Sequence, residues 1–287
     1  MKNENSQLKQ FQEPWLTRLG QTIAGCGKLI LKSRRAKLPR YEGTEPIIIM
    51  GNGPSLADTI KEHSDALRKY PTIAVNFAAN TNEFQTLQPH YYILADPHFF
   101  DKPDDPKVAR LIENIQNVGW KMTIFLPFEA RGRCRLVAND NLSICYYNAV
   151  GIEGFQWFTD FAYKCNLGMP RPRNVLIPAI MVALGMGYKE VYVVGADHTW
   201  SKTLSVDEDN RVVSIQPHFY KEDEKEAERI RKDYISRPLH SIFYSYYVAF
   251  RAYFVIADYA ERHNCKVFNS TPNSFIDALP RNPLPKG

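Results

Sequence analysis

Short, almost unbroken runs of aliphatic residues recur from residue 45 onward, separated by stretches in which apolar positions return at helical spacing. The first run, Pro46-Ile47-Ile48-Ile49-Met50, predicts a strand buried on both faces. A glycine turn and a helix from Ser55 toward Tyr70 follow it. Further strands are predicted at Thr72 to Val75, Tyr91 to Ala95, Met122 to Leu126 and Leu142 to Tyr147. A helix over about residues 174–186 leads into a sixth strand, Glu190-Val191-Tyr192-Val193-Val194. Phe243 to His263 reads as a long helix and Lys266 to Phe268 as a last short strand. The alternation predicts a mostly parallel sheet with helices on both faces, a fold that binds ligands beyond the carboxyl ends of its strands.

Two segments break this rhythm and set the expected organisation. Residues 1–44 form an extension with apolar residues at Leu8, Phe11, Trp15, Leu19 and Ile23, a stripe at spacings of three and four. It ends in Lys32-Ser33-Arg34-Arg35-Ala36-Lys37. Such a helix suits the anionic inner leaflet of a membrane through residues 8–40, and equally a docking site on its own domain or on a partner chain. The rest, residues 45–287, reads as one catalytic α/β domain. Within it, about residues 199–236 are polar and charged, and predict a lid.

Composition narrows the class. Hydrophobic residues make up 44% of the chain and charged residues 23%, which fits a globular domain. The polar start, MKNENSQLKQ, and the lack of a long apolar run predict a cytoplasmic protein, at most peripheral on the membrane. Five scattered cysteines predict free thiols in a reducing compartment. Residues 1–40 carry nine Lys and Arg against two Glu, a net of +7, so the remainder carries −2. Without a basic stripe on the body, nucleic acid is not an expected partner. Homo-oligomerisation is left open.

Candidate chemistry collects at the predicted strand ends. Gly51-Asn52-Gly53-Pro54-Ser55-Leu56 follows the first strand and opens a helix. Glycines there let backbone N–H groups approach a phosphate, and Ser55 can cap the helix or donate its hydroxyl. The loop is neither G-x-G-x-x-G nor a Walker loop, and a purely structural turn is the competing reading. Asn76, Asp96 and Asp197 end three other strands, on the same predicted edge.

These residues resemble the bacterial family 42 sialyltransferases. The resemblance rests on Gly51 to Leu56, on Asn76 and on Asp96-Pro97-His98-Phe99-Phe100. It also rests on Ala183 to Tyr192 with Gly195-Ala196-Asp197, and on Thr271-Pro272-Asn273-Ser274. The same skeleton is similar to the wider hydroxymethylpterin diphosphokinase-like group. The resemblance implies a single Rossmann-like domain, a GT-A-like variant. It further implies a metal-independent inverting transferase without a cofactor, whose substrate is a CMP-activated acidic sugar. Gly51, Asn52, Gly53, Ser55, Asn76, Asp96, Asn174, Gly195 and Asp197 are the implied nucleotide contacts, with Thr199 and Trp200 on the phosphate side of the lid. Asp96 stands where the family has Asn, Asn174-Val175 where it has Thr-Ser, and Thr199-Trp200 where it has the first of two tyrosines. Those departures admit another nonulosonate or Kdo as the sugar.

The resemblance implies a histidine base between the lid and the long helix, and His240 occupies that place. His198, beside Asp197, is the alternative, because a histidine next to a strand-end carboxylate can also take a proton. His98 and His218 are further possible ligand contacts. The expected role is transfer of an acidic sugar to a glycan or lipid-linked acceptor in bacterial lipopolysaccharide or capsule assembly. The rivals are an ATP- and magnesium-dependent diphosphotransferase, using Asp96 and Asp197, and a non-catalytic nucleotide-sugar-binding protein.

Overall fold

The computed structural model describes residues 13–214 and 235–287. Its centre is a seven-stranded sheet in the order β5-β4-β3-β2-β1-β6-β9. The strands are β1 (Ile47–Met50), β2 (Thr72–Val75), β3 (Tyr91–Ile93), β4 (Met122–Pro127), β5 (Leu142–Tyr147), β6 (Glu190–Val194) and β9 (Lys266–Asn269). Every pairing in it is parallel. The chain winds outward from β1 to β5, then returns to place β6 on the other side of β1. The order therefore reverses between β1 and β6, and it is at such a reversal that folds of this kind form a crevice beyond the carboxyl ends of the strands.

The aliphatic runs form these strands because both faces are covered. Ile47, Ile49, Ile73, Val75, Ile93 and Phe125 face one core, with helices α7 (Gln156–Lys164), α8 (Leu176–Met186) and α9 (Leu239–Arg262). Ile48, Met50, Ala74, Tyr92, Ile124 and Leu126 alternate onto the other core. There they meet α2 (Ser55–Glu62), α3 (Ser64–Lys69), α4 (Asn82–Leu87), α5 (His98–Asp101) and α6 (Pro106–Gln116). The three isoleucines of β1 are wholly buried, each contributing roughly 1.5–3 kcal/mol.

The helix expected from Ser55 toward Tyr70 is two helices, because His63 leaves the helical region at φ −128°, ψ 28°. Helices α6 and α7 lie in stretches the sequence pattern leaves unassigned. Part of the expected lid is a short hairpin, β7 (Ser205–Val206) with β8 (Val212–Val213). Residues 215–234 of that lid, His218 among them, lie outside the described residues.

Helix α1 (Trp15–Lys32) docks on α7 by one side only. A Cβ on Gly25 would lie 2.6 Å from the Phe158 ring, so only glycine admits this approach. Thr22 accepts a hydrogen bond from the Phe155 N–H at 2.9 Å. Docking on its own domain, one of the two uses expected of this helix, is thus observed for that side. Leu8 and Phe11 of the expected stripe lie outside the described residues. All five cysteines are free. Among the described residues, no helix is long and apolar enough to cross a membrane.

Candidate functional site

The β1 and β6 loops interlock at the crevice. The Gly51 N–H donates to Val194 O and the Gly53 N–H to Gly195 O, both at 2.8 Å. A Cβ on Gly51 would lie 2.4 Å from Gly195 O, and one on Gly195 would lie 2.5 Å from Gly51 O. Gly195 also sits at φ +63°, where a side chain is strained. The glycines are therefore required by the contact of loop with loop.

This corrects the expectation for the phosphate floor. The N–H groups of Gly51 and Gly53 already have protein acceptors, and the start of α2 already has an anion. Pro54, not Ser55, is the N-cap residue, and its side chain caps nothing. Asp197 instead reaches across from β6: one carboxylate oxygen accepts from the Ser55 N–H at 3.3 Å, the other from the Ser55 hydroxyl at 2.8 Å. A carboxylate at a helix N-terminus is favoured by the same partial charge that would attract a phosphate. Asp96 is likewise occupied locally, accepting the His98 N–H at 2.9 Å at the start of α5. His98 lies 3.5 Å from Asp105. Asn52 donates to Val75 O at 3.2 Å and so ties the glycine loop to the end of β2.

Thr271-Pro272-Asn273-Ser274 braces this assembly from behind. The Ala196 N–H donates to Thr271 Oγ1 at 3.0 Å, and the Ser274 hydroxyl donates to Ala196 O at 2.5 Å. Phe275 N–H donates to Asp197 O at 2.9 Å. The closing motif thus sets the path that presents Asp197 and His198.

Deeper in the crevice lies a buried polar chain. Asn174 Oδ1 caps α8 by accepting the Leu176 and Ile177 N–H groups at 3.0 and 3.4 Å. That fixes Oδ1 as an acceptor, so the Tyr253 hydroxyl, 3.1 Å away, donates to it. Tyr253 must then accept from His198 Nε2, 2.7 Å away. His198 is in consequence the Nε2–H tautomer, with its lone pair on Nδ1. Burial pushes its pKa down to about 3, so the ring is neutral at cellular pH. Trp200 stacks on it at 4.1 Å between ring centroids and packs in turn on Tyr246 and Phe250 of α9. Thr199 begins the short 3₁₀ turn that carries Trp200.

Two polar atoms of this edge stand out. Asn76 Oδ1 and Asn174 Nδ2 are buried and have no hydrogen-bond partner among the described residues. Asn76 sits at φ +48°, a conformation Asn tolerates better than most residues. An unmade buried hydrogen bond costs roughly 1–3 kcal/mol, so such an atom calls for a ligand or a water.

His240 lies elsewhere. It is exposed on the first turn of α9, thirteen residues and therefore about 20 Å along the helix axis from Tyr253. The first turns of α9 pack not on the sheet but on the hairpin, through Leu239, Ile242 and Tyr246 against Leu204 and Val212. The described contacts join His198, Trp200, Tyr253 and Asn174 into one group and leave His240 on its rim.

Tyr253 is the member of this polar chain that sequence reasoning missed. Its signal was a hydroxyl set among Ala249, Ala252, Ile256 and Ala260 on the buried stripe of α9, where a tyrosine must find a partner. Among the described residues, no group of three or more His, Cys, Asp and Glu side chains could hold a metal ion.

No protein-family model matches the chain, and no curated protein matches its sequence. Among solved structures the chain is similar to the MAf glycosyltransferase from Magnetospirillum magneticum AMB-1, at 14% identity and a TM-score of 0.49. The match covers 97% of this chain but 40% of that one, so the chain spans two fifths of that protein's length.

Proposed function

We propose that the β1–β6 crevice binds a CMP-activated acidic sugar, and that the protein is an inverting, metal-independent glycosyltransferase acting on a glycan or lipid-linked acceptor. The observation that carries this reading is the pair of buried, unpartnered amide atoms, Asn76 Oδ1 and Asn174 Nδ2, at the switch point of a parallel sheet. One offers an acceptor and the other a donor, which suits the mixed polar edge of a ribose or a pyrimidine. The resemblance of the strand-end residues to the family 42 sialyltransferases narrows the ligand to a CMP-sugar. The diphosphotransferase reading asks Asp96 and Asp197 to turn toward one ion, whereas both carboxylates hold backbone N–H groups of separate helices.

In this reading Asn76 and Asn174 meet the nucleotide, and His198 is a neutral positioning residue. A ring with a pKa of about 3 is a poor acceptor of a hydroxyl proton near neutrality. The base in this reading is His240, as the family resemblance implies, on the first turn of the rim helix. Binding fixes the geometry of attack, and the base supplies a further 10²- to 10⁴-fold, approximately.

The test is a thermal-shift comparison of CMP without magnesium against ATP with magnesium. At one hundred times its Kd, CMP should add about 2.7 kcal/mol to stability. Stabilisation by ATP with magnesium alone would overturn the proposal in favour of the diphosphotransferase. His240→Ala should keep CMP affinity within a few-fold and lower transfer about 10²-fold or more. Near-normal transfer by that variant, with His198→Ala inactive, would assign the base to His198.

A further inference from the structure

Helix α1 has a second side. Leu16, Ile23 and Ile30 recur every seven residues and so share one face. That face is opposite the docked positions Arg18, Thr22, Gly25 and Leu29. Leu16 is 74% exposed, Ile23 65% and Ile30 79%, with Leu31 beside them at 74%. Gly20 and Gly27 lie between them on the same face, with open space where a Cβ would stand. Aliphatic side chains exposed to this degree along nearly four turns mark an interaction surface.

The stripe runs directly into a basic cleft. Immediately after Ile30 and Leu31, the chain leaves the helix through Lys32 and turns back over the sheet. Asn148, at the end of β5, clamps it there: its side chain accepts the Arg34 N–H at 2.9 Å and donates to Arg34 O at 2.7 Å. This holds Lys32, Arg34 and Arg35 against Arg131 and Phe128, beyond the end of β4, around a cleft of about 410 Å³. Among the described residues, Glu129 is the one carboxylate lining it. None of the four cations forms an ion pair with a described carboxylate. The cleft therefore holds an uncompensated charge of about +3 beside a solvent-facing apolar stripe.

We infer that α1 and this cleft form a docking surface for an anionic lipid bilayer. The outer face of α1 enters the acyl boundary, and Arg34, Arg35 and Arg131, beyond the end of the helix, take the lipid phosphates, whereas Lys32, seven residues after Gly25, lies on the docked side. Charge complementarity selects this occupant, since an apolar protein surface would leave these arginines unanswered, whereas a headgroup layer supplies anions at the depth of a helix lying in the interface. The surface is independent of what the β1–β6 crevice transfers.

The experiment is co-sedimentation of the full chain with vesicles. One set is phosphatidylcholine alone, and the other is phosphatidylcholine with phosphatidylglycerol. The expected result is binding at least about tenfold tighter to the anionic vesicles, weakening steeply as salt is raised. Leu16→Gln, Ile23→Gln and Ile30→Gln together should reduce binding about 100-fold or more. Arg35→Gln with Arg131→Gln should reduce it about tenfold and flatten the salt dependence. All these positions are peripheral, and unchanged melting temperatures check that the variants are folded. Equal binding to neutral and anionic vesicles, no binding to either, or unchanged binding by the triple variant would each overturn the inference. So would a wild-type dimer in sedimentation velocity that the triple variant dissolves, because a second copy would then be the occupant.

Discussion

The two halves of one sheet edge are built on opposite principles. Around β1 and β6, polar groups answer one another: Asp197 takes Ser55, the glycine N–H groups take the carbonyls of Val194 and Gly195, and His198 reaches Asn174 through Tyr253. Asn76 Oδ1 and Asn174 Nδ2 there have no hydrogen-bond partner among the described residues. Around β4 and β5, four cations and a single described carboxylate, Glu129, line an open cleft. The first half is preorganised and rigid, and suits a ligand recognised by a few directed hydrogen bonds. The second is an electropositive surface open to solvent. A sheet edge can thus divide recognition between shape and charge.

The sharpest way to break this comparison is at the interlocked loops. Gly195→Ala combines a φ of +63° with a Cβ 2.5 Å from Gly51 O. It should cost about 3 kcal/mol or more, read as the free energy of denaturant unfolding. A loss under about 1 kcal/mol would show that the loops give way more easily than their packing suggests.

Acid should act next most strongly, through His198. Its folded pKa of about 3 lies below the ordinary 6.5. Between those values the unfolded chain binds the proton and the folded protein does not. The contribution is therefore complete above pH 6.5 and is lost as pH falls toward 3. Between pH 7 and pH 5, wild type should lose about 2 kcal/mol more than His198→Asn, a neutral substitute tolerant of φ +53°. Parallel losses in the two proteins would place His198 in a wetter setting.

Tyr253→Phe removes one hydroxyl from the polar chain and leaves the His198 N–H buried without its acceptor, at a cost of about 1–3 kcal/mol. Asn76→Gly separates binding from folding at the same edge. It deletes an unpartnered acceptor at a φ that glycine accepts, so stability should change by less than about 1 kcal/mol while CMP affinity falls about tenfold. Isothermal titration beside thermal melts distinguishes the two effects. The smallest change is expected on α1: Gly27→Ala meets nothing within 4 Å and should stabilise by up to about 1 kcal/mol.

The sequence by itself determined the strands and their polar ends. A buried strand is a local run of β-branched residues, and Ile47 to Met50, Thr72 to Val75 and Glu190 to Val194 form strands where that pattern places them. The same reading brought Asn76, Asp96 and Asp197 to one edge, because parallel strands all end on the same side. Tertiary structure alone decided what those residues touch. Ser55 and Asp197 stand 142 positions apart, and Asn174 and Tyr253 79 apart. No periodicity connects such pairs, since their meeting depends on which strands and helices become neighbours. For that reason Asp197 reads as a ligand contact in the sequence and is a helix cap in the fold, and His240 reads as central and stands at the rim. The helix of α1 was legible too, but its outward face is Leu16, Ile23 and Ile30, which shares only Ile23 with the stripe expected at Leu8, Phe11, Trp15, Leu19 and Ile23. Which side of that helix docks and which faces outward followed from the fit of Gly25 against Phe158, a contact that exists only once α7 is in place.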